Sequence, residues 1–170
     1  MSRKLDYVVS GTSYMRFSNP GIAKDETNSQ IINMLIDKLV TDVHSHKFSM
    51  LYNGHTESSF GDRFSVYKPH VNEIHADSGG LQIVTQGMTI TDELKDKVYE
   101  NQAQWADVGM CFDEIPVVLT GDRSDRNDTK ARFFDFENYE ELARKTGRNV
   151  KRQLEIFDKA NSKCKPYIIL

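Results

Sequence analysis

The sequence predicts an α/β fold built on parallel strands. Three observations lead there. Short runs rich in β-branched and aromatic residues alternate with segments of helical periodicity. The segments between them are long enough for crossover connections, which parallel pairing requires. The length, 170 residues, suits one compact domain spanning residues 1–170.

The elements follow in order. Leu5 to Val9 is a strand, with Tyr7, Val8 and Val9 as its β-formers. Residues 10–28 are polar, contain Gly and Pro, and read as a loop. Ile31, Ile32, Leu35, Ile36, Leu39 and Val40 share one helical face, with Asn28 or Ser29 as its cap. Lys47 to Tyr52 is a second strand, closed by Asn53-Gly54. Val71 to Ala76 is a third. Thr91 caps the next helix, and Asp92 and Glu93 sit where its N-terminal dipole favours negative charge. Its apolar face is Leu94, Val98 and Trp105. Val108 to Phe112 forms another strand, and residues 121–130 read as an exposed loop. Asn138 opens the last helix, with Glu141 at capping-box spacing. The expected buried stripe there is Tyr139, Leu142, Ala143, Val150, Leu154 and Phe157. Pro166 to Leu170 reads as a buried strand. A doubly wound sheet and a partial (β/α) barrel both fit this pattern.

Composition narrows the class. Hydrophobic residues make up 38% and charged residues 28%, as in ordinary globular domains. The formal charge of −3 leaves no global nucleic-acid footprint, though a local basic patch remains compatible with one. No apolar run approaches the roughly 18 residues a membrane span needs, and no signal-peptide core follows Met1, so a cytoplasmic location is expected. Cys111 and Cys164 have no metal-type spacing and read as buried free thiols. His44 and His46 lack companion ligands and read as surface residues. Arg144, Lys145, Arg148, Lys151 and Arg152 form a basic stripe on the last helix. With Glu140 and Glu141 four residues before Arg144 and Lys145, it reads as an ion-paired solvated face. Phosphate contact is the competing reading.

Two clusters carry chemistry. Asp77-Ser78-Gly79-Gly80-Leu81-Gln82 follows a strand; its glycines allow a sharp turn or close ligand approach, and its Asp and Ser offer a carboxylate and a hydroxyl. A tight turn with Asp77 as helix cap is the plain alternative. Phe112-Asp113-Glu114-Ile115-Pro116 follows another strand, placing two carboxylates at the end where α/β proteins bind ligands; loop solvation is its plain alternative.

Taken together, these clusters resemble the tRNA-guanine transglycosylase family. The span His75 to Pro116 has that family's Asp-Ser-Gly-Gly-aromatic-Gln turn, then a helix with a Gln near its end, here Gln102. Ala106-Asp107 and Phe112-Asp113-Glu114 follow in the family's order. The resemblance implies a TIM-type (β/α) barrel, of which this chain is the front part. It implies exchange of guanine for a 7-deazaguanine base in tRNA or DNA, through a covalent intermediate at the sugar. Loose agreement over the first seventy or so residues points to a divergent branch, such as viral DNA-modifying relatives.

By this resemblance Asp77 is the general acid/base, and Asp113 reads the base with two acceptor oxygens against two donors. Ser78, Gly79, Gly80 and Leu81 line the same pocket. Leu81 replaces a stacking aromatic, keeping an apolar wall without a ring. The family's nucleophilic Asp and its zinc site come later in the chain and map to no residue here, so no metal or cofactor is expected within these residues. The remaining groups would come from a second polypeptide or from self-association. Exchange by this chain alone would require Glu114 or Asp107 as nucleophile. The alternative function is a non-catalytic nucleic-acid-binding or subunit-binding protein of the same fold.

Overall fold

A computed structural model describes residues 8–10, 49–55, 68, 71–85, 88–112, 117–120, 130–133 and 139–168. Five strands form one parallel sheet: β1 (Val8–Ser10), β2 (Ser49–Asn53), β3 (Ile74–Asp77), β4 (Val108–Met110) and β7 (Lys165–Tyr167), in that spatial order. The order never reverses, so these strands contain no topological switch point. Helix α1 (Gly80–Thr85) and helix α2 (Asp92–Trp105) join β3 to β4. An antiparallel hairpin, β5 (Val117–Thr120) with β6 (Lys130–Phe133), and helix α3 (Tyr139–Lys159) stand between β4 and β7. The α/β class with a parallel sheet therefore stands as expected.

Local chemistry explains the boundaries. The Thr91 hydroxyl accepts from the Leu94 N–H at 3.3 Å and starts α2 where the sequence places it. The Glu93 backbone N–H and the Thr91 side chain hold the Glu93 carboxyl below its ordinary range. At its far end the Ala106 N–H bonds the Gln102 carbonyl, and the backbone turns extended straight into β4. Helix α3 closes on Asn161, whose φ of 47° is left-handed, while the Ser162 N–H reaches back to the Phe157 carbonyl at 2.9 Å.

Strand alternation splits the sheet into two faces. Tyr52, Ile74 and Ala76 join Val98, Tyr99, Phe112 and Phe157 in the core beneath the helices. Helices α2 and α3 pack on each other and on the strands they connect, so both cover this face. Leu51, His75 and Val108 alternate with these residues and occupy the opposite face. Tyr99 and Phe112 meet edge-on, ring centroids 5.7 Å apart, a geometry worth about 1 kcal/mol beyond burial.

Three expectations need correction. Tyr139, Ala143 and Leu154 are exposed on α3, and the buried residues are Asn149, Gln153 and Phe157. The reason is polar: α3 lies over strand carbonyls that need donors, which an apolar stripe cannot supply. The last strand is exposed rather than buried, with Tyr167 at 55%, because β7 is the edge of the described sheet. Lys130 belongs to β6 rather than to a loop and pairs with Thr120; three β-branched residues in Val117-Val118-Leu119-Thr120 are the signal in the sequence for a strand there. Ser10, expected to open a loop, instead closes β1; the rest of that loop (11–28), the expected helix at 31–40, His44 and His46 lie outside the described residues. Cys111 and Cys164 are buried free thiols, as expected.

Candidate functional site

Parallel strands bring their C-terminal ends to one edge, and the connecting helices begin there. At this edge Asn53 stands opposite Asp77 in the β2–β3 register, and the Gly54 N–H bonds the Asp77 carbonyl at 2.9 Å. The turn after Asp77 depends on Gly79. Its φ of 76° is left-handed, and an added Cβ would lie 2.6 Å from Asn53 Oδ1. Any other residue would be strained twice over. Asn53 Oδ1 also accepts from the His55 N–H at 3.0 Å, so one side chain shapes both loops.

Ser78 is buried, and its hydroxyl accepts from the Gly80 N–H at 3.3 Å, holding the entry to α1. Leu81 stands on the first turn of α1 with 54% of its surface exposed. Asp77, Ser78, Gly79 and Gly80 thus form one contiguous turn at the edge, with Leu81 beside it. Asp113 and Glu114 lie outside the described residues; Phe112, one position before Asp113, is buried next to Tyr99.

A buried amide network fixes the neighbouring strand ends, and the sequence does not announce it. Gln102 Nε2 donates to the Ala76 carbonyl of β3 at 3.3 Å and to the Met110 carbonyl of β4 at 2.8 Å. Gln153 Nε2 donates to Gln102 Oε1 at 2.8 Å and to the Gly109 carbonyl at 3.0 Å. Asn149 Nδ2 donates to the Phe112 carbonyl at 2.9 Å, and the Phe112 N–H bonds the Tyr99 hydroxyl at 3.1 Å. Gly109 leaves room for this network: a Cβ there would lie 2.8 Å from Gln102 Oε1 and 2.9 Å from Phe157. In the sequence Gln102 stands out only as part of a motif. Asn101 and Gln104 are neutral amides on the same helix, so composition does not single Gln102 out.

Two open clefts flank the start of α2. One, of about 430 Å³, is lined by Gly54, His55, Thr91, Glu93, Leu94 and Lys97, among others. The other, of about 410 Å³, lies between α2 and α3. None of Asp77, Ser78, Gly79, Gly80 and Leu81 lines either cleft. Among the described residues no cluster of His, Cys, Asp or Glu is arranged to hold a metal ion, and no helix is long and apolar enough to cross a membrane.

Asp107 lies at the opposite end of the sheet from Asp77. It precedes β4, its Oδ2 accepts from the Ile74 N–H at 2.9 Å, and its Oδ1 pairs with Lys68 at 3.2 Å. The length of β3 separates it from Asp77, since Ile74 opens that strand and Asp77 closes it. Comparison of the chain with protein-family models, with curated proteins and with solved structures finds no match in any of the three, so the site stands on its own geometry.

Proposed function

We propose that this chain provides the base-binding and proton-transfer part of a guanine-exchange site acting on tRNA or DNA, with guanine or a 7-deazaguanine as the base. The observation that carries the reading is the turn Asp77-Ser78-Gly79-Gly80 at the C-terminal edge of β3. It stands beside the strand that leads into Asp113, and an exposed Leu81 stands next to it. That is a carboxylate and an apolar wall at the ligand-binding end of a parallel sheet.

Each residue then has a task. Asp113 accepts the N1–H and exocyclic amine of guanine, two acceptors facing two donors. Asp77 manages the proton of the departing base. Gly79 and Ser78 hold the turn that aims Asp77. Gln102 is a positioning residue, since it ties the Ala76 carbonyl just before Asp77 to the Met110 carbonyl three residues before Asp113. A nucleophile at the sugar is a separate requirement, supplied by a second polypeptide or by a further segment.

The sheet itself is read as an arc of a (β/α) barrel. Its strands follow chain order without reversal, and α2 and α3 cover the same face. The other face carries Leu51, His75 and Val108, which would line the interior, with Asp77 at its rim.

The test is a calorimetric titration of the chain with guanine. Asp113→Asn puts a donor against a donor and is expected to weaken binding by about 1–3 kcal/mol. Asp77→Asn should leave guanine binding largely intact and reduce exchange once the nucleophile-bearing partner is supplied. Absence of guanine binding, or an affinity untouched by Asp113→Asn, overturns the proposal.

A further inference from the structure

We infer that the cleft between α2 and α3 binds a backbone phosphate of the polynucleotide whose base is presented at the neighbouring strand ends; this rests on the base-exchange reading above. Helix α3 places Lys145, Arg148 and Arg152 at spacings that share one face, and they line the cleft together with Asn149. Across it α2 contributes Lys95 and Asp92. Among the described residues the lining carries Lys95, Lys145, Arg148 and Arg152 against Asp92, while Asp96 and Glu141, which do not line it, pair with Arg152 and Arg148, in a protein whose overall charge is −3.

The basic stripe is divided by the packing. On the outer side Arg144 pairs with Glu140 at 3.0 Å and Lys151 with Glu155 at 4.0 Å, both at i,i+4 spacing. These are the solvated pairs expected from the sequence. On the cleft side Arg152 is held by Asp96 at 2.8 Å and by Asp92 at 3.1 Å. Those contacts push its pKa up further and hold Asp96 below the usual carboxylate range. Arg148 gives one N–H to Glu141 at 3.1 Å, and the rest of its planar fork remains to be used. Lys145 makes no ion pair among the described residues.

Lys95 connects this cleft to the site. It is only 9% exposed, and its ammonium donates to Asn149 Oδ1 at 2.7 Å. The amide of the same Asn149 donates to the Phe112 carbonyl, at the strand end that leads to Asp113. One asparagine thus orients a nearly buried cation and the segment before the base-reading carboxylate. An open cleft suits a passing phosphodiester, which needs charge and N–H donors on one side while the chain continues on both others. Among the described residues the cleft's lining has no aromatic ring that would stack a free nucleotide.

The test uses the full chain and two labelled single-stranded oligonucleotides of one sequence, RNA and DNA, with anisotropy read across a salt series. Lys145→Glu is the variant and Lys151→Glu the control, since it makes the same charge change on the same helix outside the cleft. Lys145→Glu is expected to weaken binding about tenfold near 0.1 M salt and to lower the salt slope by about one. Lys151→Glu should change affinity by no more than about twofold. Equal effects of the two variants, or no effect of Lys145→Glu, overturn the inference. Guanine titration of Lys145→Glu separates the two readings. Intact guanine binding beside lost oligonucleotide binding supports the cleft. Absent guanine binding in wild type, with oligonucleotide binding still dependent on Lys145, overturns the base reading and leaves the cleft a phosphate site.

Discussion

The two ends of the parallel sheet are held by different chemistry. At the N-terminal end the contacts are charged and partly wet. Asp107 takes the Ile74 N–H and Lys68, Lys165 pairs with Glu73 at 3.0 Å, and His75 lies 3.3 Å from the same Glu73. Toward the C-terminal end the strand carbonyls are met by buried neutral amides: Gln102 and Gln153 are fully buried and cap the carbonyls of Ala76, Gly109 and Met110. These amides carry no charge themselves, and the buried Lys95 ammonium reaches this end through Asn149, whose amide caps the Phe112 carbonyl. Surface ion pairs would answer to salt and would bias a nearby carboxylate. On the base-exchange reading proposed above, the charged end serves stability and the amide-lined end presents Asp77 and Asp113 to a ligand, the division expected of a (β/α) architecture.

That comparison is most exposed at Gln102. Gln102→Leu removes the donor to two carbonyls on neighbouring strands and leaves Gln153 Nε2 without one acceptor. Buried unsatisfied groups make this costly, about 3 kcal/mol in urea unfolding, with guanine affinity falling as well. A variant that unfolds normally would show that the network is incidental. The next effect belongs to the other end. Asp107→Ala frees the Ile74 N–H and Lys68, and should cost about 1–2 kcal/mol in the same unfolding assay. Guanine affinity should not move, and a large loss of affinity would erase the proposed division between the ends.

The smallest effect is a pH dependence at Cys164. Burial, then the nearby Asp107 carboxylate, push its thiol up to about 12 from an ordinary 9.0. The folded state therefore favours the neutral thiol. Its stabilising contribution is complete below pH 9 and declines as pH rises toward 12. By about pH 10 the loss should be about 1 kcal/mol. Cys164→Ala should unfold with a shallower alkaline decline than wild type. Parallel curves for the two proteins would contradict the assignment.

How much was legible in the sequence varies by element. Thr91 announced α2 because a cap acts through the next three residues and needs nothing distant. The Asp77 turn was legible for a similar reason, since a left-handed Gly79 leaves its mark locally. Helix α3 was legible in extent but not in orientation. Its apolar residues predict a stripe through Tyr139 and Leu154, and the fold instead buries Asn149 and Gln153. Periodicity alone finds Phe157 but misses the amides, because only the sheet carries the carbonyls that call for them.

The same division runs through the whole protein. The α/β alternation, the helix start at Thr91, the buried thiols and the turn that ends β3 are written into the chain locally, because each depends on short-range sterics, capping or composition. The tertiary structure decided which amides are buried, which of five basic residues face a cleft, and that Asp107 and Asp77 lie at opposite ends of one sheet. These outcomes depend on partners tens of residues away, such as Asn149 with Phe112 and Arg152 with Asp96, and proximity of that kind exists only once the strands have paired and the helices have packed.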